Sequence, residues 1–170
     1  MVKFGTTMNL ISGKSFLPID PSSPCHDLFR PFGQVICPTP DGKQWDDQDA
    51  RLDLSQGIPR LYIMTLENRG LSFDRITQHR RCTQCLGAMG GEEWFLGVAD
   101  PSIPPDRLSA QDVVVCRIWG HCLIKLERRT WHAGPFFRRE RMDFINLELS
   151  TTNIDDHFTV SLDQTIRIGD

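Results

Sequence analysis

One stretch, Lys125 to His157 (KLERRTWHAGPFFRRERMDFINLELSTTNIDDH), brings together a histidine, an indole, a Gly-Pro corner and a carboxylate on an apolar run. Imidazole changes charge near neutrality, so a positioned histidine serves as general base, general acid or metal ligand. The residues Thr130 to Pro135 read as a turn. In a β-barrel such a turn throws one side chain into the mouth while the flanking strands hold it still. His132 is that side chain, and the spacing predicts function there.

The run that follows, MDFINLELS, alternates with period two. Ile145, Leu147 and Leu149 share one face, and Phe144, Asn146 and Glu148 share the other. Two readings fit. Either the aliphatic face is core and the polar face meets water, or the polar face lines the lumen of a barrel that holds a ligand. The second is adopted as the expectation. His79 ends another strand, with Gln84 five residues on. His79, Gln84, Glu127 and His132 would supply two nitrogens and two oxygens to a divalent ion, if all four converge.

The elements that must position these residues are mostly short strands. His26 to Phe32 suits a short helix stopped by Pro31 and Gly33, and Val35 to Cys37 a first strand. A loop over 38–59 follows, then the strand RLYIMTLE closed by Asn68-Arg69-Gly70 as a hairpin turn. Further strands are expected at Leu71–His79, CTQCLGAM, EWFLGVA, VVVCRIW, LIKLE and MDFINLELS, with a proline-rich loop over 101–111. Strands at this spacing, with little helical periodicity, define an all-β sandwich or barrel. The expected organisation is an irregular lead-in over 1–24, a barrel domain over 25–160 and an edge strand or tail over 161–170.

Composition narrows the function classes. The 170 residues are 39% hydrophobic and 24% charged, which describes a globular chain of one domain. A net charge of −3 with scattered arginine pairs argues against a nucleic-acid footprint. No apolar run reaches the ~20 residues of a membrane helix. The first acid is Asp20, a weak transit-peptide flavour without an apolar signal core, so a cytoplasmic location is expected and organellar targeting stays open. Six cysteines need not be staples in a chain of this size. Cys82, Cys85, Cys116 and Cys122 have the number for a zinc site. An offset of three along a strand, however, sends Cys82 and Cys85 to opposite faces, so core thiols are the expectation.

Several segments, in order, resemble the ureidoglycolate lyase (ureidoglycolate hydrolase) family of cupin-fold proteins. They are LFRPFGQVI, His79 followed by Thr83-Gln84, and Trp131-His132 followed by Pro135, Phe137 and Asp143-Phe144. The resemblance covers roughly residues 28 to 157, and the string TWHAGPFF…MDFINLELSTTN…DH is most similar to plant-type members. It implies a single cupin-like, antiparallel jelly-roll barrel. It also implies cleavage of (S)-ureidoglycolate to glyoxylate and urea in purine nitrogen catabolism. Two departures stand out: His79 is not part of a His-x-His pair, and Glu127 stands where bacterial members carry histidine. A glutamate still binds metal through oxygen, so the site is altered rather than abolished.

That reaction needs a base for the hydroxyl proton, an acid for the departing urea and a cation for the carboxylate. The expected assignments are His132 and Glu148 as catalytic groups, and Arg60 or Arg80, with Asn146 and Trp131, as substrate-binding groups. One divalent ion (Zn, Mn or Ni) is expected, with no organic cofactor. By analogy with other cupins, a homodimer is expected. The alternative readings are a non-catalytic cupin that binds a small carboxylic acid, and a cupin enzyme acting on another small hydroxy acid.

Overall fold

The computed structural model describes residues 16–20 and 26–169. The residues before position 16, where the targeting expectation and most of the expected lead-in fall, lie outside that description. Strands account for 49% of the described residues and helices for 7%, so the fold is all-β. The strands are β1 (Leu17–Ile19), β2 (Gly33–Ile36), β3 (Pro59–Glu67), β4 (Ser72–Gln78), β5 (Gln84–Ala88) and β6 (Gly91–Ala99). They continue as β7 (Val114–Gly120), β8 (Leu123–Leu126), β9 (Trp131–Phe136), β10 (Arg141–Leu149) and β11 (Phe158–Arg167). Two four-residue helices, α1 (His26–Phe29) and α2 (Thr152–Asp155), are the only α-helices among the described residues.

Two sheets form, ordered β1-β7-β6-β9-β4-β11 and β2-β8-β5-β10-β3. They face each other over a core that includes Trp94, Leu96, Val98, Leu86, Ile124, Leu126 and Phe144, with Trp94 edge-on to Phe144 at 5.4 Å. This is a two-sheet β-sandwich arrangement, all-β as expected. The six-stranded sheet is covered on its outer face as well. Phe95, Ala99, Val115, Trp131 and Ala133 pack there against Leu108, Ala110 and Val113 from the segment before β7. A strand covered on both faces has no reason to alternate, which explains the apolar run Val113 to Cys116 ahead of Arg117.

Several expectations are corrected. The residues around His132 form strand β9 and not a turn. Gly134 and Pro135 are turn residues by type, yet they sit where the β6–β9 ladder shifts register, and proline is tolerated at such breaks. A Cβ on Gly134 would lie 3.1 Å from the Phe95 carbonyl oxygen, so glycine admits the close strand approach. Asn68-Arg69-Gly70 does turn the chain, with Gly70 at φ 85° and its N–H donated to Asn68 Oδ1 at 2.6 Å. It does not make a hairpin, because β3 pairs with β10 and β4 with β9 and β11. Met64 and Leu66 belong to the inter-sheet core, whereas Phe73 and Ile76 belong to the outer one, so the turn carries the chain from sheet to sheet. The sheets are antiparallel except where β1, inside the expected lead-in, joins β7 in parallel.

Candidate functional site

Alternation on each strand decides what reaches the space between the sheets. On β10, Phe144 lies in the inter-sheet core, so Asn146 and Glu148 point the same way, and both are buried. On β5, Leu86 and Ala88 place Gln84 on the inner face, and on β3, Met64 and Leu66 do the same for Tyr62 and Arg60. From the opposite sheet, Trp131 and Ala133 pack outward, which turns His132 inward. Thr77 pairs with His132, and His79, two residues on, shares its face. The inter-sheet space is therefore apolar around Trp94 and Phe144 and polar at the level of Glu148 and the two histidines.

The polar end is a connected network. Gln84 Nε2 donates to Asn146 Oδ1 at 3.1 Å and to Glu148 Oε2 at 3.0 Å. Asn146 Nδ2 donates to the Tyr62 hydroxyl at 3.0 Å, and that hydroxyl donates to Glu148 Oε1 at 3.2 Å. Asn153 Nδ2 adds a third donor to Glu148, also at 3.2 Å. The carboxylate is only 1% exposed and accepts three of these bonds, from Gln84, Tyr62 and Asn153. Burial and the nearby Glu148 charge push the Tyr62 hydroxyl pKa up, so it stays a donor. One acceptor is left over: Gln84 Oε1 is buried without a partner. Its amide nitrogen is fixed toward the carboxylate, so the oxygen must face the other way.

Across the space, His132 Nδ1 donates to the Thr130 carbonyl at 3.0 Å and His79 Nδ1 to the Asp156 carbonyl at 2.6 Å. Each ring is left with Nε2 as an acceptor. The rings lie 4.9 Å apart, and His157, which is exposed, lies 5.5 Å beyond His79. Burial, reinforced by the neighbouring His79, drives the His132 pKa down to about 3. Burial lowers His79 too, but there the Asp156 carbonyl and the Glu148 charge pull upward. The Asp156 carboxylate meanwhile takes the backbone N–H groups of Arg80 and Arg81 at 2.9–3.1 Å, which locks the chain leaving β4. Asp156 and His157, the DH of the resemblance string, carried no expected role; their place is evident only once β4 is known to end beside them.

The other expected residues lie around this core. Trp131 is fully buried with Nε1 donating to the Ile103 carbonyl at 3.0 Å, on the face away from the inter-sheet space. Its place is in the outer core and not against a ligand. Arg60 lies over the Tyr62 ring at 3.7 Å. Arg80 lies over the Phe158 ring at 4.0 Å, with Nε donating to Gln78 Oε1 at 2.6 Å. With Glu127, Arg128 and Arg129, Arg80 lines a cleft of about 480 Å³. Arg128 is paired with Asp53 at 3.2 Å.

The four expected metal ligands do not assemble. His79 and His132 meet, whereas Glu127 pairs with the Lys125 ammonium at the arginine cleft; Gln84 has its amide nitrogen on Glu148, which leaves Oε1, the atom that would bind an ion, unpartnered. Among the described residues no group of three or more His, Cys, Asp or Glu side chains is placed to hold an ion. The full set of four therefore does not fit one metal centre, because Glu127 is held elsewhere. The thiols of Cys82, Cys85, Cys116 and Cys122 are buried; burial pushes Cys85 up to about 11, and raises Cys116 further.

No family model matches the chain, and no curated protein matches it. Among solved structures it is similar to an oxalate decarboxylase studied for its substrate binding mode and reaction specificity switch. The TM-score is 0.39 at 14% identity, over 62% of this chain and 24% of that one. An arginine-to-alanine variant of the Bacillus subtilis oxalate decarboxylase gives the same values. The chain thus spans about a quarter of the length of the structures it matches.

Proposed function

We propose that this chain is a ureidoglycolate lyase-like enzyme that cleaves (S)-ureidoglycolate to glyoxylate and urea. The observation that carries the reading is the surplus of acceptors at the polar end: Gln84 Oε1, His79 Nε2 and His132 Nε2 all await donors. A ureido group supplies N–H donors and the neighbouring carbinol an O–H, which suits such a surface. The resemblance described for the sequence supports the same substrate.

In this reading His79 is the better proton carrier. A general base works best when its pKa lies near the working pH, and His132 at about 3 is too weakly basic. His79 takes the carbinol proton as the C–O bond becomes a carbonyl and the C–N bond breaks. It then returns that proton to the departing urea nitrogen, so one imidazole completes both transfers. Neutral His132 orients the hydroxyl through Nε2, and Glu148 fixes Gln84. Arg80, the residue after His79, holds the carboxylate from the arginine cleft as a fork of N–H donors. A homodimer belongs to the same proposal. Leu61 and Ile63 are 69% and 58% exposed and pair across strands with Leu147 and Ile145, which leaves an aliphatic patch on the outer face of β3 and β10.

The test is glyoxylate release from ureidoglycolate, followed with a dehydrogenase couple, with and without added Mn or Zn. Turnover well above spontaneous decay, reduced by roughly 10²–10⁴ in His79→Gln, is the expected result. No turnover under any condition sinks the proposal and leaves a small-acid binder.

A further inference from the structure

Strands β2 and β8 run antiparallel with Ile36 opposite Leu123. One step further along this ladder brings Cys37 opposite Cys122, and their sulfurs lie 3.6 Å apart across 85 positions of sequence. Both are thiols. We propose that Cys37 and Cys122 are a reversible oxidation site that closes to a disulfide under peroxide and clips β2 to β8. Directly opposed residues of an antiparallel pair have Cβ atoms about 4.5–5.5 Å apart, which is within a small adjustment of what a disulfide needs. Among the described residues no other two sulfurs are in contact: Cys82 meets the Thr152 hydroxyl, and Cys85 and Cys116 are sealed in packed regions.

Accessibility assigns the order of events. Cys37 is partly exposed and lines a cavity of about 570 Å³ with Gln34, Lys43 and Asp49, whereas Cys122 is buried in the inter-sheet core. The Cys37 sulfur attacks hydrogen peroxide, the O–O bond breaks, and hydroxide leaves and is protonated to water. That step produces a sulfenic acid on Cys37. The Cys122 sulfur then attacks the Cys37 sulfur, the S–O bond breaks, and the departing hydroxide takes the Cys122 proton. Two thiols and one peroxide thus give one disulfide and two waters. Burial, with Cys37 alongside, pushes the Cys122 thiol up to about 12, so its thiolate is scarce. Contact between the two sulfurs offsets that scarcity, because the second step is intramolecular and already aligned. Closure is then slower than at a dedicated redox cysteine and follows sustained peroxide exposure. Dithiol reductants reverse it by exchange.

The experiment treats the full-length protein with hydrogen peroxide, alkylates the remaining thiols, digests it and maps the cysteines by mass spectrometry. The expected product has an intact mass lower by two hydrogens and a peptide linking Cys37 to Cys122. It unfolds at a higher temperature, and dithiothreitol restores the starting mass. Cys37→Ser and Cys122→Ala each abolish the cross-link, and Cys37→Ser retains the wild-type circular dichroism. Recovery of Cys37 as sulfinic acid with Cys122 still alkylatable after denaturation overturns the proposal. A cross-link from Cys37 to Cys25 in place of Cys122 overturns it as well.

Discussion

The buried, neutral state of His132 predicts a particular acid sensitivity. In the unfolded chain its imidazole takes a proton near pH 6.5; in the fold, burial holds it at about 3. Its folded pKa is depressed, so its contribution to stability is present above the unfolded value and is lost as pH falls. From about pH 7 to pH 5 the unfolded state gains about three-quarters of a proton at this site and the folded state gains almost none. At about 1.4 kcal/mol per unit, the loss is about 2 kcal/mol by pH 5. The figure is governed by the unfolded pKa, because the folded one lies well below the window. His132→Gln keeps an N–H for the Thr130 carbonyl and cannot titrate. Urea denaturation midpoints for both proteins at the two pH values isolate the difference, since the carboxylates and His79 are common to both. The wild type should lose about 2 kcal/mol more than the variant. Parallel losses, within about 0.5 kcal/mol, would mean that the folded protein accepts the proton, and the inward, buried placement of His132 would fall.

Three further outcomes follow from the packing. Trp131→Ala removes a fully buried indole and its bond to the Ile103 carbonyl, so chemical denaturation should register a loss of about 3–5 kcal/mol. Glu148→Ala strands the donors of Gln84, Tyr62 and Asn153, at about 1–3 kcal/mol for each group left unsatisfied, whereas Glu148→Gln retains an acceptor and should cost less by the same assay. Ile63→Lys should convert the proposed dimer to monomer by light scattering while changing the monomer's own stability by no more than about 0.5 kcal/mol.

The period-two signals were legible where one face of a strand is buried and the other is not. In β10 the alternation itself was plain, but its direction depended on what lies behind the sheet. The aliphatic face of β10 is turned away from the inter-sheet space, with Ile145 and Leu147 half-buried and only Leu149 buried, while Asn146 and Glu148 are both buried. Sequence could not decide this, because both faces are chemically consistent until Gln84, Tyr62 and Asn153 are known to converge on Glu148. The strand β9 was hidden for a different reason. Gly134-Pro135 is a strong turn signal locally, and only the register break against β6 makes it compatible with a ladder. Lys125 was invisible altogether. It is fully buried on the outward face of β8, where the segment between β2 and β3 folds back through Gln34–Asp49 and Asp53–Thr83. A loop that covers a sheet leaves no periodic trace in the chain.

The leftover acceptors also discriminate between ligands. Gln84 Oε1 is buried with no donor, and such an acceptor costs about 1–3 kcal/mol for as long as it stays unpaired. A ligand carrying N–H groups relieves that cost on binding, whereas a plain dicarboxylate presents acceptors to acceptors and adds repulsion from Glu148. N-carbamoylglycine and succinate separate these cases, because both are small carboxylates and only the first carries a ureido group. Titration calorimetry should show N-carbamoylglycine binding at least about tenfold tighter, which corresponds to about 1.4 kcal/mol. Gln84→Met removes the acceptor at similar volume and should bring the two affinities together, with circular dichroism confirming an unchanged fold. Tighter binding of succinate to the wild type would refute the donor-seeking character of the polar end. Discrimination that survives in Gln84→Met would assign it to the histidine Nε2 atoms instead of the orphan amide oxygen.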